Sequence, residues 1–147
     1  MERQVVDVNA LVIPAALARQ IEAEGSKAYP NECCGILIGR DEAGQRVVER
    51  LEPVANEFEE GEQYHRFLIT PQVLMKAEKA AGEKLVLGFY HSHPDHPARP
   101  SEYDREHAWP FYSYVIVAIT KREATDLTSW VLDEATETFK RQEIVEQ

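Results

Sequence analysis

The sequence predicts a mixed α/β fold, in which one mixed β-sheet and about three helices form a sandwich. Strand-like apolar segments recur along the chain, and stretches with helical spacing or helix start and stop signals lie between them. With 147 residues, 44% of them hydrophobic, the chain is long enough for one core that buries roughly two-thirds of the unfolded surface. We therefore expect a single domain over residues 1–147.

The first third of the chain predicts one helix and two strands. Apolar residues at helical spacing after an early proline predict a helix over residues 14–28. Pro30 excludes its continuation, because an interior proline removes a hydrogen bond and clashes with the preceding turn. Residues 33–40 are then expected to form a buried strand, residues 41–44 a turn, and residues 45–54 a second strand.

The middle of the chain predicts a loop, a short strand and a second helix. Residues 55–63 are polar and acidic without periodicity, so we expect an exposed loop, followed by a short strand over residues 65–69. Thr70 and Pro71 are typical of an N-cap and a first helical position, and Gly82 is typical of a helix end. A helix through Ala81 is therefore predicted.

The last part of the chain predicts a central strand, a short helix and three further strands. Residues 85–93 are apolar on both faces, which favours a central position in the sheet, and Pro94 is expected to stop this strand. A proline-rich loop leads to a short helix over residues 101–109. Strands are then predicted at residues 112–120, 126–134 and 137–146.

Composition excludes several classes of partner. The formal net charge of -10 offers no electrostatic footprint for a phosphate backbone, so nucleic acid is not expected as a partner. The apolar runs are far shorter than the roughly 18 residues that a membrane-spanning helix needs, and the N-terminus lacks the apolar core of a signal peptide. Cys33 and Cys34 are adjacent, which disfavours a disulfide. We expect a soluble, cytoplasmic protein without membrane contact.

Two histidines and a carboxylate have the spacing of a metal site. Residues two apart on a strand project from the same face, so His91 and His93 present two imidazoles side by side at a strand end. Asp104, in the first turn of the next helix, can fold back to add an oxygen ligand. Three protein ligands with a fourth position for water are typical of catalytic zinc. Zinc is our prediction, although iron, cobalt or manganese could use the same ligands.

The motif residues resemble a known family. Glu32, the His91-Ser92-His93 triplet, a spacer of residues 94–100, and Ser101-Glu102-Tyr103-Asp104 resemble the JAMM signature of the MPN+ zinc metalloproteases at every motif position. The resemblance covers most of the chain, because PNECCGILIGR, HRFLITP, LVLGFYHSHP and YVIVAI fall where family members place their strands. It implies a cytidine-deaminase-like/MPN sandwich.

The resemblance also implies roles for the residues. His91, His93 and Asp104 would hold one Zn²⁺ per chain, Glu32 would act as the general acid and base on the attacking water, and Ser101 would donate a hydrogen bond to the developing oxyanion. A metal-activated water and a nearby carboxylate are the parts that amide hydrolysis needs.

The family resemblance implies a protein substrate. JAMM enzymes hydrolyse peptide or isopeptide bonds after the C-terminal Gly-Gly of ubiquitin or ubiquitin-like proteins. This chain looks most like short prokaryotic members that act on sulfur carrier proteins, freeing cysteine or a C-terminal extension. The ligand helix runs almost directly into residues 109–112, so a long insertion for gripping ubiquitin chains is absent there.

Other interpretations of the same residues stay open. A Ser-x-x-Asp motif is a common helix cap, so Ser101 and Asp104 could serve only the helix. A non-catalytic MPN scaffold for a ubiquitin-like partner is the alternative function, and a DNA-repair factor conflicts with the acidic charge. His65, His96 and His107 match no motif position, although His96 could fringe the pocket. Three aromatic or proline residues after the helix are predicted to pack in the core: Trp109, Pro110 and Phe111.

Overall fold

The computed structural model describes residues 10–55 and 69–147. The strands of these residues are β1 Ala10–Ile13, β2 Cys34–Glu42, β3 Gln45–Val54, β4 Leu85–Pro94, β5 Ser113–Thr120, β6 Glu123–Asp133 and β7 Thr138–Glu146. The helices are α1 Ala15–Ala28, α2 Pro71–Ala81 and α3 Glu102–His107. The predicted mixed sheet and three helices are therefore confirmed in the described part of the chain.

The sheet closes on itself. The strand order is β1-β3-β2-β4-β5-β6-β7, and β7 returns to pair with β1. β1 runs parallel to both of its neighbours, β4 runs parallel to β5, and the other neighbours are antiparallel. The closure is narrow at β1, which pairs with β3 only at Arg46 and Val47.

β4 occupies the central position that its sequence predicts. It pairs with β2 on one side and with β5 on the other. Tyr90 packs in the cluster that contains Ile21 of α1, whereas Phe89 packs in the cluster that contains Ala77 of α2. Because helices cover both of its faces, β4 is a rigid support for whatever its C-terminal end carries.

Helix α2 begins and ends where its signals predict. Thr70 is the N-cap, and its Oγ1 accepts a hydrogen bond from the amide of Val73 at 3.1 Å. Gly82 follows the last helical residue with a φ of 61°, a conformation that glycine adopts at low cost. The capping residues therefore set the length of this helix.

Three predictions need correction. β1 was not predicted, because a buried segment of four apolar residues has no period to detect. β4 does not stop before Pro94 but includes it as its last residue, where a missing amide donor is tolerated. Phe111 does not pack in the core, since it is 65% exposed, whereas Trp109 contacts the α2 cluster.

Two predictions lie largely outside the described residues. The predicted acidic loop falls there except for Ala55, and so does the predicted strand at 65–69 except for Ile69, which lies outside any strand. Among the described residues, no helix is long and apolar enough to cross a membrane.

Candidate metal centre and active-site cleft

The end of β4 holds the two predicted histidines. His91 and His93 are 4% and 7% exposed, and their Nε2 atoms lie 3.1 Å apart. Cys34 of β2 pairs with His91, and Ala118 of β5 pairs with His93. Hydrogen-bonded pairing with β2 and with β5 therefore fixes the backbone that carries these two imidazole rings.

Asp104 completes a group of three side chains. Its Oδ2 lies 3.2 Å from Nε2 of His93, and its Oδ1 lies 3.6 Å from Nε2 of His91. One ligand atom from each of the three residues lies within 4.8 Å of the others. The structure thus brings together the three residues that the sequence predicts as metal ligands.

These separations fit a tetrahedral metal ion. Zinc bonds of about 2.0–2.2 Å with tetrahedral angles place neighbouring ligand atoms roughly 3.3–3.6 Å apart. The separations of 3.1 Å between the two Nε2 atoms and of 3.2 Å from Nε2 of His93 to Oδ2 of Asp104 are close to those edges. The donor set of two imidazole nitrogens and one carboxylate oxygen also suits zinc.

A backbone carbonyl selects the tautomer of His93. Its Nδ1 lies 2.8 Å from the carbonyl oxygen of Pro97. Because a carbonyl can only accept, Nδ1 must carry the proton, and Nε2 of the neutral ring then holds the lone pair. Such a contact orients a histidine ligand and raises its basicity. Nε2 is the atom that faces His91 and Asp104.

A capping box holds Asp104. Its amide donates to Oγ of Ser101 at 3.0 Å, and the Ser101 amide donates to Oδ2 of Asp104 at 2.8 Å. Burial acts to raise the pKa of Asp104, but the two neighbouring imidazoles and the hydrogen bond from the Ser101 amide lower it below its ordinary range. The predicted helix cap is therefore present, and it orients the carboxylate of Asp104 toward the histidines.

Glu32 is a buried acid beside this group. It is 7% exposed, and its Oε1 has no hydrogen-bond partner among the described residues. Burial, and secondarily the negative charge of Asp104, raise the pKa of Glu32 from 4.5 to about 9. An unsatisfied buried carboxyl costs stability, so this position is better explained by chemistry than by packing.

A cleft of about 440 Å³ opens over these residues. Glu32 and His93 reach it from the interior, and exposed Ser101 reaches it from the start of α3. Oγ of Ser101 accepts from Asp104, but its O–H proton has no acceptor in the described part of the chain. The remaining lining residues are the last residue of β4 and four residues of the loop after it: Pro94, His96, Pro97, Arg99 and Pro100.

The sequence indicated His96 at the cleft but not Pro97 or Arg99. Pro97 acts through its backbone carbonyl, which no side-chain pattern reveals. Arg99 could have been suspected from its place between the histidine pair and Ser101, since a loop of that length must border the metal site.

The two cysteines directly follow Glu32 in the sequence. Cys34 is buried and Cys33 is half-buried, and both are free thiols. Burial raises the pKa of Cys33 to about 12 and raises that of Cys34 as well. Both are therefore protonated thiols of low reactivity.

Solved structures with this architecture define the class of fold. The chain superposes on protein DSY2949 of Desulfitobacterium hafniense with a TM-score of 0.79 and 28% identity, over 93% of this chain and 92% of that one. It also superposes on AF2198, a JAB1/MPN domain protein of Archaeoglobus fulgidus, with a TM-score of 0.56 and 21% identity, over 93% and 98% of the two chains. The fold is that of a JAB1/MPN domain.

The family follows from the sequence. Residues 14–133 match the family described as prokaryotic homologs of the JAB domain, and the chain belongs to it as a short prokaryotic member of the JAMM/MPN+ class. The predicted family resemblance is therefore confirmed.

Relatives in this family have names that describe peptidases. A desampylase of Haloferax volcanii is 40% identical over 89 residues, which are 59% of this chain and 62% of that protein. A probable TtuB-protein conjugate cleaving protease of Thermus thermophilus is 34% identical, over 72% of this chain and 68% of that protein. A CysO-cysteine peptidase of Mycobacterium tuberculosis is 28% identical, over 95% of this chain and 94% of that protein.

Proposed function

We propose that this protein is a zinc-dependent peptidase that hydrolyses the bond after the C-terminal Gly-Gly of a ubiquitin-like or sulfur carrier protein. The observation that carries the proposal is the convergence of His91, His93 and Asp104 next to an open cleft. His93 and the buried carboxyl of Glu32 line that cleft. Three ligands and a buried acid are the parts of a hydrolytic metal site.

The three ligand residues have the spacing to hold one zinc ion per chain. Zinc bound there would lower the pKa of a coordinated water molecule from about 15.7 to about 7, polarise the substrate carbonyl and favour the ionised form of Glu32. The Pro97 carbonyl favours the tautomer of His93 that has its lone pair on Nε2, and the capping box orients the carboxylate of Asp104. The chain thus prepares the donors before the metal arrives.

Glu32 is the proposed proton carrier. Hydrolysis breaks the amide C–N bond, the carbonyl carbon gains the oxygen of water, and the leaving nitrogen gains a proton. In its ionised form Glu32 can accept a proton from water and later donate it to the leaving amine. A carboxyl with a raised pKa is suited to both steps near neutral pH. We propose that Ser101, which lines the cleft and whose O–H has no acceptor among the described residues, binds the developing oxyanion.

The relatives support a ubiquitin-like substrate. Their names describe enzymes that act on CysO-cysteine, on TtuB conjugates, or as a desampylase. An open cleft of about 440 Å³ suits an extended tail of small residues better than a folded surface. We propose that the Gly-Gly end enters this cleft and that cysteine or a C-terminal extension is released.

Intact-mass spectrometry tests the proposal. Carrier proteins ending in Gly-Gly-Cys, or in a longer tail after Gly-Gly, are incubated with zinc-loaded protein, chelated protein, Glu32→Gln and the exposed control Glu83→Gln. We expect a mass loss that corresponds to cleavage after Gly-Gly with the zinc-loaded protein and with Glu83→Gln only. Stoichiometric zinc without cleavage would instead favour a non-catalytic scaffold that binds the carrier.

A further inference from the structure

The cleft contains an arginine that has no partner for its charge within residues 10–55 and 69–147. Arg99 is exposed and lines the cleft together with Glu32, His93 and Ser101. Its guanidinium makes no hydrogen bond, ion pair or ring contact with any described residue. The other arginines of the described chain each have such a partner: Arg19, Arg40, Arg46, Arg50, Arg105, Arg122 and Arg141.

The backbone that leads into this arginine is held by hydrogen bonds. The carbonyl of Pro97 accepts from Nδ1 of His93 at 2.8 Å and from the Arg99 amide at 2.8 Å. The carbonyl of Ala98 accepts from Oγ1 of Thr128 at 2.6 Å, and Ala98 itself is 3% exposed. The loop therefore presents Arg99 at the metal cleft from a constant position, and only the side chain is left to bind a ligand.

The strongly negative net charge of the chain makes a cationic side chain at the cleft significant for ligand binding. The net charge is -10, so an anionic group that approaches the protein is repelled overall. A guanidinium without a partner at the cleft offers a planar pair of donors that matches a carboxylate. An anionic ligand group at this cleft is therefore favoured at Arg99.

We propose, on the basis of the function proposed above, that Arg99 binds the free α-carboxylate of the residue or short tail released after Gly-Gly. The preferred substrate is then a carrier that ends in an amino acid or a short extension, with its carboxylate close to the scissile bond. A conjugate linked through a lysine side chain inside a folded protein lacks a carboxylate at that distance. Arg99 thus selects C-terminal processing over release from a protein conjugate.

The test compares two substrates that differ only at one group. A carrier ending in Gly-Gly-Cys is made with a free C-terminal carboxylate and with a C-terminal amide. The zinc-loaded wild type, Arg99→Gln, Arg99→Lys and the exposed control Lys140→Gln are assayed for kcat/KM on both. Lys140→Gln removes the same charge from β7, away from the cleft lining.

We expect the wild type to prefer the acid over the amide by about fivefold to tenfold, the range between an exposed ion pair and a charged hydrogen bond. Arg99→Gln should lose this preference because its kcat/KM falls on the acid substrate alone. Arg99→Lys should retain part of the preference, and Lys140→Gln should retain all of it. The preference should also weaken as salt is raised.

Three outcomes would overturn the inference. The wild type could cleave acid and amide equally. Arg99→Gln could keep the preference for the acid. Arg99→Gln could also slow equally on both substrates, which would assign the residue to the support of the loop and His93. If the wild type cleaves neither carrier although it binds one zinc per chain, the proposed function fails first, and the inference falls with it.

Discussion

Ser92 and Cys33 are joined by two hydrogen bonds. The Cys33 amide donates to Oγ of Ser92 at 2.8 Å, and the Ser92 amide donates to the Cys33 carbonyl at 3.1 Å. Ser92 lies between the two histidines of the candidate metal centre, and Cys33 follows Glu32 directly. The contact therefore ties the segment that carries the proposed acid/base to the strand that carries two proposed ligands.

Ser92→Ala tests this tie. The substitution removes the acceptor for the Cys33 amide in a buried place, which should cost about 1–3 kcal/mol of stability. We expect zinc stoichiometry to be retained and kcat to fall by about tenfold, because Glu32 is held less closely. Metal analysis, denaturant unfolding and carrier cleavage measure the three effects. An unchanged kcat in a destabilised variant would assign the contact to folding alone.

Glu32→Gln tests the proton carrier. Glutamine keeps the size of the side chain but can neither accept nor donate a proton in the reaction, so kcat should fall by about 10²–10⁴. One zinc per chain should still bind, since Glu32 is not among the proposed ligands. Wild-type turnover by this variant at full zinc occupancy would remove Glu32 from the mechanism.

Ser101 has two proposed roles, as the N-cap of α3 and as a hydrogen-bond donor to the oxyanion, and substitutions can distinguish them. Ser101→Ala removes the N-cap acceptor and the free O–H donor, so we expect a loss of about 1 kcal/mol of stability and of about 10²–10³ in kcat. Ser101→Thr keeps a hydroxyl and should retain most of both. If Ser101→Ala loses stability but turns over normally, the residue serves only the helix cap.

The stability of the metal-free protein should depend on pH through Glu32. Burial and the charge of Asp104 raise the pKa of Glu32 from 4.5 to about 9, so the folded chain retains a proton that the unfolded chain loses above pH 4.5. The stability contribution is complete below pH 4.5 and falls toward pH 9, by at most about 1.4 kcal/mol per pH unit.

Urea unfolding of chelated protein between pH 5 and pH 9 measures this slope. Glu32→Gln should flatten the pH dependence of the unfolding free energy, whereas Glu83→Gln, which changes an exposed acid, should leave it as in the wild type. Parallel curves for the wild type and Glu32→Gln would show that burial does not hold the proton on Glu32.

Much of the fold follows from local signals in the sequence. The Thr70-Pro71 start and the Gly82 end of α2 are read from single residues, because capping chemistry is local. β4 could be placed at the centre of the sheet, because its residues are apolar on both faces. β1 could not be predicted, since it is stabilised by β3 and β7, which lie far away in the sequence.

Some residues of the candidate site could likewise be predicted from the sequence, and others could not. His91 and His93 follow from strand periodicity, and Asp104 from its position at a helix start, so their convergence was predicted. The family resemblance was needed for Glu32, because an isolated glutamate has no spacing that indicates a role. Pro97 contributes a carbonyl to His93, and the Ser92 contact with Cys33 depends on strand pairing; both needed the structure.

Zinc titration of the chelated protein, with bound metal and carrier cleavage measured on the same samples, tests the central claim most directly. We predict that cleavage after Gly-Gly rises linearly with zinc and levels off at one zinc per chain, and that His93→Ala and Asp104→Ala lose metal and activity together. Full cleavage by the metal-free protein, or one zinc bound without any cleavage, would contradict the account.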